Sequence, residues 1–317
     1  MEKISQKNKR AVFFTTLSIV ILSLFLISYT LYSVSKSREA VGKRIETLNS
    51  FVFSVEQDLP RKLYIAGFRI IFLFENKIAE TGSYVTNLDS KFEEAFFNGT
   101  IDGEDYKTGE NQTLYGATFS DMQESLNEKA NSVNAYANIT NPNLTISQED
   151  PWRVKVVLTT ELFIKDTGEL ASWNKTFDIV AYIPVENFED PLYILNTRGK
   201  VSNKVNRTIY ENFVSGSDVT NLTSHLENSY YINNSDAPSF LNRLQGSLSP
   251  SVNGVESLVY LPELSAQGIA TKDKSAVDHI YFSSETPSSH HIAGMPAWFM
   301  VDDAHLSVYQ VSELKID

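Results

Sequence analysis

AVFFTTLSIVILSLFLISYTLYSV, residues 11–34, runs without a charged side chain. A helix needs roughly 20 such residues to cross the hydrocarbon core of a bilayer. A basic tail precedes it, residues 1–10, with Lys3, Lys7, Lys9 and Arg10, and a mostly polar chain follows to residue 317. Three readings fit an apolar run behind a basic tail. A cleaved secretory signal has a shorter apolar region and a small-x-small site, whereas this run is long and ends in Tyr29, Leu31 and Tyr32. An uncleaved signal anchor fits the length. A pilin-type leader, cut near Ala11, fits the basic-then-small pair Arg10-Ala11 ahead of Val12.

Charge and sequons set the expected orientation. Lys36, Arg38, Lys43 and Arg44 behind the span balance the four basic residues before it, so the positive-inside bias is nearly neutral. Asn-x-Ser/Thr sequons stand at Asn98, Asn111, Asn138, Asn143, Asn174, Asn206, Asn221 and Asn233, all behind the span. As candidate glycosylation sites they place the body outside the membrane and the N-terminus in the cytoplasm.

Net charge is −12, and residues 1–44 hold eight of the 27 basic residues but only Glu2 and Glu39 of the 39 acids. The acidic body repels a phosphate backbone, which excludes nucleic acid as a partner. Cysteine is absent, so disulfides, zinc-thiolate and iron–sulfur centres and a Cys nucleophile are excluded. A hydrophobic fraction of 42%, with 19 Phe and 15 Tyr, supports a packed core rather than disorder.

The fold expected is α+β: an N-terminal transmembrane helix continuing into a helical stalk, then an extracytoplasmic body of antiparallel sheet and helices. The segments expected are tail (1–10), transmembrane helix (11–34), stalk and core helix (35–82) and two α+β regions (83–199 and 200–317). Val41, Ile45, Leu48, Val52 and Val55 recur every three or four residues, an apolar stripe that must pack on the body or on other copies of the chain or envelope proteins. Asp58 and Pro60 read as a helix restart. LYIAGFRIIFLF, residues 63–74, reads as a core helix closed by Gly82. Ser120 and Gln123 read as a capping box opening the next helix. Residues 152–165 alternate, with Trp152, Val154, Val156, Leu158, Leu162 and Ile164 inward. After a turn at Asp166-Thr167-Gly168 a partner strand returns through Phe177, Ile179, Ala181 and Ile183, completing an antiparallel hairpin. Further on, helices are expected near residues 218–228 and 236–246, strands at 255–261 and 277–282, and a last short helix capped by Asp302.

No nucleophile elbow, phosphate loop, dinucleotide fingerprint, H-E-x-x-H or EF-hand sequence is present. One group bears on metal chemistry: Asp278 with His279, His290 with His291, and Asp302, Asp303 and His305. Imidazoles and carboxylates suit zinc or nickel. Yet adjacent histidines diverge, no pair has i, i+4 spacing, and Asp302 and Asp303 read as a cap and first-turn acid. The acidic pairs Glu93-Glu94 and Glu189-Asp190 read as solvated, and Tyr230, Tyr231, Trp298 and Phe299 as packing rather than a sugar-binding face. The reading therefore assigns no catalytic residue, cofactor or metal.

Several stretches, KRAVFFTTLSIVILSLFLISYTLYSV, RIETLNSFVFSVEQDLPRKLYIAGFRIIF, IPVENFEDPLYILNTRGKV, IYFSS and GMPAWFMVDDAHL, resemble uncharacterised archaeal membrane-anchored, pilin-like cell-surface proteins. The resemblance implies a cell envelope, a long N-terminal helix and an outward β-rich body, with no activity attached. Two features depart from the pilin pattern: Thr16, not Glu, stands five residues after the candidate cut, and the body is large for a repeating subunit. The function expected is that of a single-pass cell-surface protein with structural or adhesive work. The alternatives are a pilin-like filament subunit, or an envelope enzyme or solute-binding module drawing on His279, His290 and His305.

Overall fold

The computed structural model describes residues 2–108 and 111–316. The side chains of the basic tail, and of Ala11 beside the candidate cut, lie outside the described residues. One helix, α1 (Glu2–Thr81), takes up a quarter of the chain and at 1.5 Å per residue is about 120 Å long. Among the described residues it is the one helix long and apolar enough to cross a membrane, and its most apolar window touches nothing else in the chain. Several hydroxyl side chains there turn back onto the helix itself. Thr16, Ser18, Ser23 and Thr30 donate hydroxyls to carbonyls three or four residues back, at 2.8 Å each, which removes unpaired donors from an apolar surface.

The body first grips α1 at Arg44, whose guanidinium donates to Asp166 at 2.6 Å and to the Asn134 carbonyl at 2.6 Å. From there one stripe sinks into the core: Leu48, Phe51, Val55, Leu59, Leu63, Ile70 and Phe74. Of the stripe read from sequence, Leu48 and Val55 are buried and Val52 packs at the edge, so the chain's own body covers that part; Ile45 stays exposed. The expected restart at Asp58 does not occur. Pro60 lies inside the continuous helix, and Asp58 accepts a bond from Lys129 at 2.7 Å instead of capping. Packing on both sides of Pro60 outweighs the one backbone hydrogen bond it forfeits. Residues 63–74 are not buried all round: Tyr64, Ile65, Phe68 and Phe72 face outward. Gly82, at φ +63°, closes the helix as expected, donating to the Ile78 carbonyl.

Against α1 lies an antiparallel sheet of β3 (Ala135–Asp150), β4 (Arg153–Asp166) and β5 (Ser172–Pro184), in that order. Before it come α2 (Leu88–Asn98), a small ribbon of β1 (Thr100–Ile101) with β2 (Glu104–Asp105), and α3 (Phe119–Ser132). The read hairpin is β4–β5, with Val154 opposite Ile183 and Leu158 opposite Ile179. Gly67 lets the helix approach closely, because a Cβ there would collide with Ile183. Strand β3 carries little alternation. It holds Pro142 within a register shift between Thr140 and Asn143, as an edge strand permits. The cap of α3 is Thr118 with Asp121, not Ser120 with Gln123. Gln123 instead reaches across to β3, bonding Ile139 N and the Ala137 carbonyl.

The rest of the chain is short elements: α4 (Pro191–Thr197), α5 (Thr220–Glu227), β6 (Tyr231–Asn233), α6 (Phe240–Leu244), β7 (Val255–Ser257), α7 (Leu261–Ala266), α8 (Asp278–Phe282), β8 (Ser289–Ile292), β9 (Met300–Asp302) and β10 (Lys315–Ile316). β6 pairs with β7, and β8 lies between β10 and β9. Two expectations fail here. Residues 277–282 form α8 rather than a strand, which turns Asp278 inward onto Arg243 and Ser257. Asp302 ends a strand and is followed by turns, with its carboxylate taken by His305.

Candidate functional site

Two connected polar networks lie inside this second half. At the centre of the first is Arg243, fully buried on α6. Ser239 caps that five-residue helix, and its last turn aims the guanidinium inward. Nη1 donates to Asp190 at 2.5 Å and to Asp278 at 2.9 Å; Nη2 donates to Asp278 and to the Val255 carbonyl. Asp190, the cap of α4, also accepts from Tyr231 Oη at 2.7 Å and Leu192 N at 2.8 Å. It is therefore not a solvated acid. Burial raises its carboxyl above the usual range, and Arg243 and the bonds from Tyr231 and Leu192 pull against that rise. Asp278 accepts in addition from Ser257 N and Oγ, at 2.9 Å each. One cation thus ties α4, α6, α8 and β7 together. All three charged groups are buried, and together they hold these elements in place.

The second network continues through the chain neighbours Glu256 and His279. Glu256 sits in β7, fully buried. Its Oε2 lies 3.2 Å from His279 Nε2 and 3.3 Å from His305 Nε2, and accepts from Asn234 Nδ2 at 2.9 Å. Burial opposes the charge, but the two imidazoles outweigh it and hold the carboxyl down at about 2. His305 Nδ1 donates to Asp302 Oδ1 at 2.7 Å, and Ser275 Oγ donates to Asp302 Oδ2 at 2.6 Å. Burial lowers the His305 pKa, yet Asp302 and Glu256 raise it to about 10. His225 lies in the same half, and burial pushes it down to about 4. A cleft of about 520 Å³, lined by Trp152, Arg207, Tyr210, Phe213 and Gln310, adjoins this region through the Phe213–Tyr309 ring contact at 5.5 Å.

Of the three histidines singled out from sequence, His279 and His305 come together, with ring centroids 5.5 Å apart. His290 pairs instead with Asp303 at 2.9 Å, and His291 is exposed on β8. Tyr231 and Phe299 are buried, so the aromatic group is packing. Glu256 escaped notice; its signal was a lone carboxylate inside the apolar run VESLVYL. Arg243 and Asp190 carried no local signal. No protein-family model, curated protein or solved structure matches the chain.

Proposed function

We propose that the chain is a single-pass cell-surface protein, anchored through residues 11–34, whose α+β body is held outside the membrane for structural or adhesive work. The supporting observation is the continuity of α1. The same helix presents a bare apolar segment and, from Leu48 on, the backbone of the core. A body built around its own anchor helix cannot swing on a flexible linker. Arg44 stands ten residues beyond Val34, so the body begins about 15 Å from the span. The sequons suit an outward body as well: Asn98, Asn111, Asn143, Asn174, Asn221 and Asn233 are exposed, and Asn138 and Asn206 are half-buried. Protease added to intact cells is expected to remove the body, and peptides from the native membrane to retain residues 1–11 with glycan on Asn111, Asn174 and Asn221. A body protected until the cells are lysed overturns the reading.

One observation favours the pilin-like alternative. Phe53, Tyr64, Phe68 and Phe72 form an exposed stripe on the outer side of α1, suited to a second copy of the chain. A mature chain beginning at Val12, with assembly abolished in Phe68→Ser/Phe72→Ser, would establish that reading; a native chain that retains residues 1–11 excludes it.

A further inference from the structure

We infer that Glu256, His279 and His305 form a binding site for one divalent transition-metal ion, with zinc the best match, held inside the second half of the body. Their ligand atoms all lie within 4.8 Å of one another, and all three residues are buried. The spacing itself is informative. Ligands about 2.0–2.1 Å from a tetrahedral zinc stand about 3.3 Å apart. The two imidazole nitrogens are 3.2 and 3.3 Å from Glu256 Oε2. A charge-assisted hydrogen bond closes to about 2.8 Å, as the neighbouring His305–Asp302 bond does at 2.7 Å. The wider pair of contacts matches two edges of a tetrahedral coordination shell.

Unpaired atoms make a second, independent argument. Glu256 Oε1 and His305 Nε2 are buried with no aligned hydrogen-bond partner, and the Tyr309 hydroxyl lies beside Glu256. His305 Nε2 faces Glu256 but is not aligned to donate to it. Each such orphan costs about 1–3 kcal/mol, and a cation among them offers both Glu256 oxygens and both imidazoles a partner. The surroundings match those of ligating histidines, which as a rule pass their other N–H to a carboxylate. His305 gives Nδ1 to Asp302, itself fixed by Ser275, which leaves Nε2 as the ligand toward the site once the incoming ion displaces its proton to solvent. Asn234 steadies Glu256 from behind. Asp302 is thus a positioning residue. Two nitrogens and a carboxylate suit zinc better than calcium or magnesium, which take oxygen shells. The burial of all three ligands makes the ion a clamp joining β7, α8 and the turn after β9, whichever side of a membrane the body occupies.

The test uses the full chain purified in detergent, stripped with a chelator, then exposed to zinc alone and desalted. About one equivalent of zinc is expected to remain, with the thermal midpoint rising by roughly 5 °C or more at saturation. Cobalt in its place is expected to give the visible absorption of a four-coordinate site. Glu256→Gln, which keeps the side-chain size, and His305→Ala are each expected to retain less than a tenth of an equivalent. Asp302→Asn is expected to lower affinity roughly 10- to 100-fold, and His291→Ala to change nothing. A stripped wild-type chain that retains no zinc and gains no stability overturns the proposal, as does retention unchanged in Glu256→Gln. Should a variant misfold, the wild-type cobalt spectrum decides: absorption of a six-coordinate ion overturns the site.

Discussion

The half of the molecule built on α1 and the half built around Arg243 are both well buried, yet opposite chemistry holds them. Around α1 the interior is mainly apolar side chains from a helix and three strands, with Glu75 the one buried acid among that helix's described residues and Asp166 at the rim paired with Arg44. In the second half the elements are two to eight residues long, and Arg243, Glu256, Asp278, His279, Asp302 and His305 lie buried among the apolar clusters. Long regular elements can bury a continuous apolar face and need no internal charge. Short elements supply too little such surface, and specific polar ties set how they pack, at the cost of desolvating each group.

The contrast can be broken most sharply at Arg243. Arg243→Ala leaves Asp190 and Asp278 buried without a counter-charge and is expected to cost about 3–5 kcal/mol, read as a fall in the denaturant midpoint of the whole chain. A loss below about 1 kcal/mol would show that water or rearrangement replaces the guanidinium, and the two halves would then differ less than the geometry implies. Leu63→Ala tests the other half. It opens a cavity under α1 and is expected to cost about 3 kcal/mol, with no dependence on pH between 5 and 8.5.

Glu75 sharpens the comparison from within the apolar half. It is 4% exposed with Oε1 unpaired, and burial raises its pKa to about 9. The folded chain therefore keeps a proton that the unfolded chain releases near 4.5. That contribution is complete below pH 4.5 and is lost as pH rises toward 9. Glu75→Gln should consequently match the wild type near pH 4.5 and exceed it by about 5 kcal/mol at pH 8.5, at about 1.4 kcal/mol per pH unit between the two pKa values, measured as urea midpoints at both values. An unchanged difference across that range would show that the carboxylate is ionised and solvated in the folded chain.

Legibility divided along the same line. The apolar run, the buried stripe from Leu48 on, the closing glycine and the β4–β5 hairpin were all readable, because a 3.6-residue or two-residue period reports which face a local element buries. Misreadings came where a distant partner prevailed over a local rule. Pro60 stayed helical because packing on both sides held it, Gln123 left the cap to bond β3, and residues 277–282 coiled so that Asp278 could meet Arg243.

By itself the sequence determined that the protein carries an apolar helix of membrane-spanning length near its N-terminus, that this helix runs into an α+β body, and that cysteine chemistry plays no part. Only the tertiary structure decided which charged residues are buried and with whom. Asp190 meets Arg243 across 53 residues of chain, and Glu256 meets His279 across 23. Hydrophobic periodicity is a property of neighbours along the chain, whereas the pairing of buried charges follows from where the closed fold brings their elements together.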